Sequence, residues 1–277
     1  MKQINYNGKL FSSDSPIFYL NRAIIYGDGL FESIRVHHGE ILFLKDHIDR
    51  MLRGMKALKM EVSGNFTETF FHKQVVDLLR EEKISGNARI RIGVFRGGGG
   101  LYEPRENSAE YFIEVIPLER GYDWSGSSCS IGVFRDIHKN LSSISFFKSM
   151  NELPNVLAAI FKKENDLDDC LLLNSQGSIA DAISSNIFWI EDDKIFSPPV
   201  ADGGVEGVMR KNLIRLMTNQ KISVSEKSIS PDEIKSAGEI FLTNVGWGIK
   251  PVTRFEEKTF QTKITKEIFQ QLLLELA

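Results

Sequence analysis

Apolar residues recur along this chain in two rhythms, and the switches between them mark out its elements. Residues 30–36 and 41–44 read as two strands, joined by a turn at His37-His38-Gly39-Glu40 and preceded by a Gly27-Asp28-Gly29 turn. From Asp46 the rhythm changes. Ile48, Met51, Leu52, Met55 and Leu58 fall at helical spacing, which predicts an amphipathic helix over 46–60 with Asp46 as its N-cap. A second helix is predicted over 67–82. Residues 88–95 and 110–117 alternate like paired strands around Arg96-Gly97-Gly98-Gly99-Gly100, which reads as a flexible loop.

Residues 119–128 (ERGYDWSGSS) are polar and contain Gly and Ser. They predict a boundary between a smaller α/β domain over 1–120 and a larger α/β domain over 121–277. Beyond it come a strand over 130–135, a helix over 154–164 and a strand over 170–173. A hairpin follows, pairing 186–190 with 194–196 through Glu191-Asp192-Asp193. A helix over 208–218, a strand over 239–243 and a final helix over 263–276 complete the chain. There is no internal repeat and no low-complexity tract. The expected fold class is mixed α/β (α+β) in two domains.

Composition narrows the function classes. The 277 residues are 42% hydrophobic and 26% charged, enough to bury a core without disulfides or a structural metal. The net charge of −3, with no basic block, argues against nucleic acid or an anionic membrane as a partner. No run of about 18 apolar residues is present, so no membrane span is expected. The first residues lack the apolar stretch of a secretion signal, and the expected location is the cytoplasm. Cys129 and Cys170 belong to no C-x-x-C pair and read as buried thiols, with a disulfide between them left open. The five histidines lack metal-ligand spacing, and His37 and His38 read as solvated turn residues. H-E-x-x-H, G-x-S-x-G and Walker motifs are absent, so no metal site is expected.

Four short segments remain that could carry chemistry. Lys148 follows Phe146-Phe147, and an amine held against apolar groups becomes nucleophilic; a plain surface lysine is the alternative. Gly207-Val208-Met209-Arg210 opens a helix, where free N–H groups suit a phosphate; a helix start chosen for folding alone is the alternative. Thr243-Asn244-Val245-Gly246 ends a strand and offers a hydroxyl, an amide and backbone donors, or else is an ordinary turn. Arg50 borders the apolar stripe of its helix and is either a phosphate clamp or a solvated arginine.

Taken in order, these segments resemble the class IV family of pyridoxal-5′-phosphate (PLP) enzymes. That family includes branched-chain and D-amino acid aminotransferases and 4-amino-4-deoxychorismate lyase. Tyr26-Gly27-Asp28-Gly29-Leu30-Phe31-Glu32 looks like its early strand motif. Asp46-His47-Ile48-Asp49-Arg50 is similar to its H-x-x-R phosphate arginine. The segment from Lys148 to Ala158 (KSMNELPNVLA) looks like the one carrying the cofactor lysine. Asp181 to Phe188 (DAISSNIF) resembles its E-x-x-x-x-N-x-F. The resemblance implies the two-domain PLP fold type IV, D-amino acid aminotransferase-like, with the cofactor at the domain interface of a homodimer. It implies Lys148 as the catalytic residue, holding PLP as a Schiff base. Arg50, Gly207, Val208, Met209, Thr243 and Asn244 would surround the phosphate, and Asp181 would face the pyridine nitrogen. The substrate is expected to be a small-molecule amine, with Phe31, Tyr102 and Trp247 as pocket walls or, alternatively, ordinary core aromatics. In one respect the chain departs from the family: Asp181 stands where the family has Glu, one methylene longer.

Three details favour the lyase branch, one being that the strand end Thr243-Asn244 resembles the lyase's asparagine and not the transaminase Thr/Ser cluster. Gly-Val-Met-Arg at 207–210 resembles the lyase pattern Gly-Ile-Met-Arg, whereas the transaminases have Gly-Ile-Thr-Arg. The Arg and His that grip substrate carboxylate in D-amino acid aminotransferases are not evident after Arg96-Gly97. The expected activity is 4-amino-4-deoxychorismate lyase, forming p-aminobenzoate and pyruvate. The alternatives are a branched-chain or D-amino acid aminotransferase, and a PLP-binding homologue without turnover.

Overall fold

The computed structural model describes residues 2–15, 21–124 and 128–276. Its contacts divide the chain into two units, Met1–Gly121 with Phe147–Asn151, and Tyr122–Phe146 with Glu152–Ala277. The division at 121/122 falls beside the boundary expected from the polar segment 119–128, of which residues 125–127 lie outside the described residues. The sequence reading put Lys148 in the second domain. Instead residues 147–151 pack with the first.

The first unit runs β1 (Gln3–Tyr6), β2 (Lys9–Ser12), α1 (Arg22–Tyr26), β3 (Gly29–His37), β4 (Glu40–Ile41), α2 (Leu44–Ala57), α3 (Glu68–Glu81), β5 (Asn87–Arg96) and β6 (Ala109–Leu118). The strands form one sheet in the order β2-β1-β6-β5-β3-β4, antiparallel throughout. Leu30, Ile34 and Val36 alternate onto one face of β3 and pack with Ile48, Met51 and Met55 of α2 and with Phe71, Val75 and Leu78 of α3. Burying these side chains drives the helices onto the sheet, at roughly 1.5–3 kcal/mol for each large apolar side chain. α2 starts at Leu44, two residues before the expected N-cap Asp46. Phe43 takes a left-handed backbone (φ 54°) that turns the chain into the helix at once and leaves β4 two residues long. His37 is also not a turn residue. It ends β3 and is buried, with its ring 4.3 Å from that of His38.

The segment 147–151 lies along β3. Phe31 N–H donates to Lys148 O at 2.8 Å, Met150 N–H to Gly29 O at 3.0 Å, and Leu30 bridges to Ser149. Phe147 packs on the core of this unit beside Gly54, where a Cβ would come within 2.6 Å of Leu30 Cδ1. Long-range strand pairing of this kind leaves no periodicity in five residues, which is why the sequence did not reveal it.

The second unit contains β7 (Ser130–Lys139), α4 (Leu153–Glu164), β8 (Asp169–Asn174), β9 (Ile179–Ala182), β10 (Asn186–Glu191), β11 (Lys194–Ser197), α5 (Val208–Asn219), β12 (Val224–Glu226), β13 (Glu239–Asn244), β14 (Gly248–Val252), β15 (Arg254–Phe255), β16 (Lys258–Thr259) and α6 (Lys263–Glu275). Two five-stranded sheets result, in the orders β12-β11-β10-β13-β14 and β16-β15-β7-β8-β9. Their shared core gathers Ile131, Leu171, Leu173, Ile187, Trp189, Ile240 and Phe255. The β10–β11 hairpin turns at Asp192 and Asp193 with φ of 49° and 59°, the pair of left-handed residues that a two-residue type I′ turn requires. Cys129 and Cys170 are both buried and unbonded. Among the described residues no helix is long and apolar enough to cross a membrane, and no group of three or more His, Cys, Asp or Glu is placed to hold a metal.

Candidate active site

In the first unit the chemistry gathers on both faces of β3. Lys148 is half-buried, and its Nζ lies 4.5 Å from the centroid of the Phe31 ring. Phe31, brought by tertiary pairing, is thus an apolar group beside the amine. The same ring lies 4.5 Å from the Arg91 guanidinium carbon. Arg91 is opposite Ser33 and Phe31 opposite Gly93, so strand parity puts Arg91 and Phe31 on one face. Arg91 Nε is buried and meets no acceptor among the described residues. The sequence reading missed Arg91. A cation within a strand was the only local signal, and its place beside Phe31 is visible only once the strand pairing is known.

On the opposite face of β3, Glu32 interrupts the apolar series Leu30, Ile34, Val36 and is buried with them. Its carboxylate accepts from Arg50 Nε at 2.8 Å, from an Arg50 terminal nitrogen at 2.5 Å and from His47 Nδ1 at 2.7 Å. Burial pushes the Glu32 carboxyl up, but the Arg50 charge and the bonds from His47 and Arg50 outweigh it and hold it at about 2. Burial pushes His47 below its ordinary value, and the Arg50 charge adds to that against the pull of Glu32. His47 is then neutral and donates from Nδ1, while its Nε2 is buried without a partner among the described residues. Arg50, expected as a phosphate clamp or a solvated arginine, is not solvated: it is buried and paired with Glu32.

Arg96 is likewise committed. It bonds Asp28 (2.9 Å), Leu58 O (2.6 Å) and Asn107 Oδ1 (2.6 Å). Asp28 also holds Arg22 at 2.8 Å, and Arg22 bonds Leu101 O at 2.5 Å. The Gly97–Gly100 loop, read from sequence as flexible, is therefore tied at its base, with Gly98, Gly99 and Gly100 all at positive φ. Tyr102 stands on this loop at 90% exposure, its ring 5.5 Å from that of Tyr26.

In the second unit a separate group of polar atoms surrounds Asn186. α5 opens at Gly207 with no side-chain cap, and its first helical bond runs from Lys211 N–H to Gly207 O. The N–H groups of Val208, Met209 and Arg210 thus have no acceptor within the helix, the arrangement that favours an anion. A Cβ on Gly207 would come within 1.8 Å of Asn186 Oδ1, so only glycine fits. Asn186 lies directly across from Thr243 in the β10–β13 pair and bonds Val205 O at 2.8 Å. The hydroxyls of Thr243 and Ser185 are buried and meet no partner among the described residues. The Asn244 side chain makes two bonds. Its amide nitrogen bonds Ser184 O, and its oxygen accepts from Gly246 N–H at 2.6 Å, so it staples the loop. Arg210 points into the fold, onto Ser197 Oγ, Pro198 O and Glu226. Trp247 packs against the core of this unit.

Asp181 is buried on β9. Oδ2 accepts from Lys139 Nζ at 2.7 Å and from Val205 N–H at 3.1 Å, while Oδ1 is buried with no partner among the described residues. Ser185 and Lys139 escaped the sequence reading. A serine in a Ser-Ser pair and a lysine at a strand end carry no pattern of their own.

Comparison with known proteins places the chain in a family. The family model for Amino-transferase class IV matches residues 29–255. A Methanocaldococcus jannaschii protein, provisionally named a branched-chain-amino-acid aminotransferase, is 28% identical over 98% of this chain and 93% of its own length. An aminodeoxychorismate lyase of Vibrio harveyi is 25% identical over 84% of this chain and 85% of its own length. The branched-chain aminotransferase of Thermoproteus uzoniensis, solved with norvaline, shares the fold with a TM-score of 0.87 at 24% identity, covering 97% of this chain and 92% of the other. With the matched segment spanning most of its length, the chain belongs to the class IV aminotransferase family.

Proposed function

We propose that this chain is a PLP enzyme that acts as a 4-amino-4-deoxychorismate lyase. The residues fit the cofactor. An uncapped helix start beside two unpartnered buried hydroxyls, Thr243 and Ser185, suits a phosphate, and the bare Oδ1 of Asp181 suits a protonated ring nitrogen. When bound, PLP supplies an aldehyde that bonds amines and a ring that draws electrons from the neighbouring bond.

In this reading Lys148 is the amine that bonds the cofactor. With the cofactor bound, the Lys148 amine would be the group to take the proton from the substrate carbon that bears the amine. The ring C–O bond then breaks, the ring becomes aromatic, and the departing enolpyruvyl group takes up a proton to leave as pyruvate. The N–H groups of Val208 and Met209 and the hydroxyl of Thr243 hold the phosphate. Arg50, oriented by its pair with Glu32, and Asn244 complete the surroundings of the phosphate, and Gly207 lets the helix start approach it. Arg91 binds a substrate carboxylate, and Phe31 walls the amine.

The observation that carries the lyase reading is Met209. It occupies the first turn of α5 fully buried, at the position where the transaminase pattern has a threonine hydroxyl. The commitment of Arg96 to Asp28, Leu58 and Asn107 adds support, because the cation that precedes the glycine loop is engaged within the fold. A second reading, an amino acid aminotransferase, is favoured by the relative in Methanocaldococcus jannaschii, whose name is of that kind. One assay separates them. Purified protein with PLP is given 4-amino-4-deoxychorismate and, separately, L-leucine or D-alanine with 2-oxoglutarate. Pyruvate with p-aminobenzoate supports the lyase, glutamate supports the transaminase, and neither product with PLP bound leaves a homologue without turnover.

The same reading makes the protein a cytoplasmic homodimer. Leu153, Val156, Leu157 and Ile160 of α4 are exposed at helical spacing, an apolar stripe of the kind a second copy covers. Sedimentation at micromolar concentration, repeated with Val156→Glu, tests it; a monomeric wild type would reject it.

A further inference from the structure

A carboxylate has two equivalent oxygens, yet the surroundings of Asp181 treat them differently. Oδ2 takes both donors, Lys139 Nζ at 2.7 Å and Val205 N–H at 3.1 Å, and Oδ1 takes none among the described residues. The two side chains are 13% and 5% exposed, so water does not level the difference. Three features of the chain produce it. Lys139 is the last residue of β7, beyond a register shift that places it opposite Asn174 and not in step with Phe134. Gly204 lets residues 203–205 run close along β9, since a Cβ there would meet Ala180 O at 2.5 Å. That close approach delivers the Val205 N–H. Asp181 itself is anchored through the β8–β9 pair opposite Leu172. Of the two donors on Oδ2, Val205 N–H is fixed by the backbone, and Lys139 alone brings a charge.

Resting on the reading of Asp181 as the partner of the ring nitrogen, the geometry points to Lys139 as a positioning residue. It pins Oδ2 and thereby presents Oδ1 as the oxygen that meets the cofactor. Lys139 acts through Asp181 and does not touch the substrate. A short side chain has little slack, so fixing one oxygen of an aspartate fixes the direction of the other. Without the ammonium, the carboxylate is left buried with one N–H partner and turns to satisfy whichever oxygen it can.

The test compares wild type, Lys139→Met, Lys139→Gln and Lys139→Arg. The measurements are the dissociation constant of PLP from the apoprotein, the position of the bound cofactor's absorbance band, and kcat and KM on whichever substrate the wild type accepts. Loss of one charged hydrogen bond predicts about tenfold or greater weakening of PLP binding in Lys139→Met and Lys139→Gln. The band is displaced, kcat falls by a similar factor, and KM for the amine stays within about twofold. Lys139→Arg restores both affinity and band. A merely structural lysine would lower the melting temperature of the apoprotein and leave the band of the folded holoprotein unchanged. Folded Met and Gln variants with wild-type affinity and band would overturn the inference while leaving the PLP reading intact. A wild type that takes up no PLP overturns both.

Discussion

Phe31 and Lys148 hold each other twice. The Phe31 N–H donates to the Lys148 carbonyl at 2.8 Å, and the Phe31 ring lies 4.5 Å from the Lys148 ammonium. Backbone pairing fixes where the lysine stands, and the ring fixes what its amine faces. Replacing Lys148 with Ala is expected to abolish the borohydride-fixed cofactor mass on the peptide containing position 148, with circular dichroism unchanged. Phe31→Ala is expected to keep the mass and lower kcat by roughly tenfold, because the ring restricts the amine without bonding to it. A Lys148→Ala protein that still fixes cofactor covalently would refute the assignment.

Glu32 predicts an acid limb in the stability profile. In the unfolded chain its carboxyl titrates near 4.5, and in the folded chain it is held at about 2 by Arg50 and His47 against burial. The unfolded state therefore takes up the proton first as pH falls. The stabilisation is complete above about 4.5 and is lost between there and about 2, an amount of the order of 3 kcal/mol. His47, pushed below its ordinary 6.5, adds a decline that begins as pH falls through 6.5. Denaturant unfolding at pH 7 and pH 3.5 checks this. Glu32→Gln is expected to lose roughly 3–5 kcal/mol at pH 7, because Arg50 is left buried without its charge partner, and to show a flatter acid limb.

Gly207→Ala tests the packing beneath the uncapped helix start. The added methyl would overlap Asn186 Oδ1 and push either the helix or the β10 end aside. Stability is expected to fall by about 1–3 kcal/mol, and PLP affinity by about tenfold, since the N–H groups of residues 208 and 209 move with it. Thermal melts with and without PLP separate the two effects, and equal melting shifts in both would argue against a phosphate at this helix.

Arg91→Gln is expected to raise KM for a carboxylate-bearing substrate by about tenfold to a hundredfold and to leave PLP affinity within about twofold. The basis is a guanidinium that shares the Phe31 ring with Lys148 and keeps one buried N–H without an acceptor among the described residues. Unchanged KM on every accepted substrate would remove Arg91 from the binding site.

Tyr102→Ala is expected to change stability by less than about 0.5 kcal/mol, because a side chain at 90% exposure buries almost nothing in this chain. Any effect on KM without an effect on melting would then mark Tyr102 as a substrate contact.

The amino-acid sequence by itself determined the long elements, the order of the chemical segments and the family. Strands such as β3 and β5 and helices such as α2, α3 and α5 are legible because their apolar periods run for several turns or pairs, and a family motif is a property of residue order alone. Short elements such as β1, β2, α1, β9 and β14 carry too few residues for a period to emerge and exist by virtue of what they pair with. The same holds for the site. Lys148 could be named from its neighbours in sequence, but its attachment to β3, the burial of Arg50 on Glu32, the stapling of the 244–246 loop by Asn244 and the asymmetric grip of Lys139 on Asp181 were decided by tertiary structure. Apart from the local Asn244–Gly246 bond, each joins residues well separated in the chain, and burial makes the polar groups of Arg50, Glu32, Lys139 and Asp181 seek partners that no local pattern specifies.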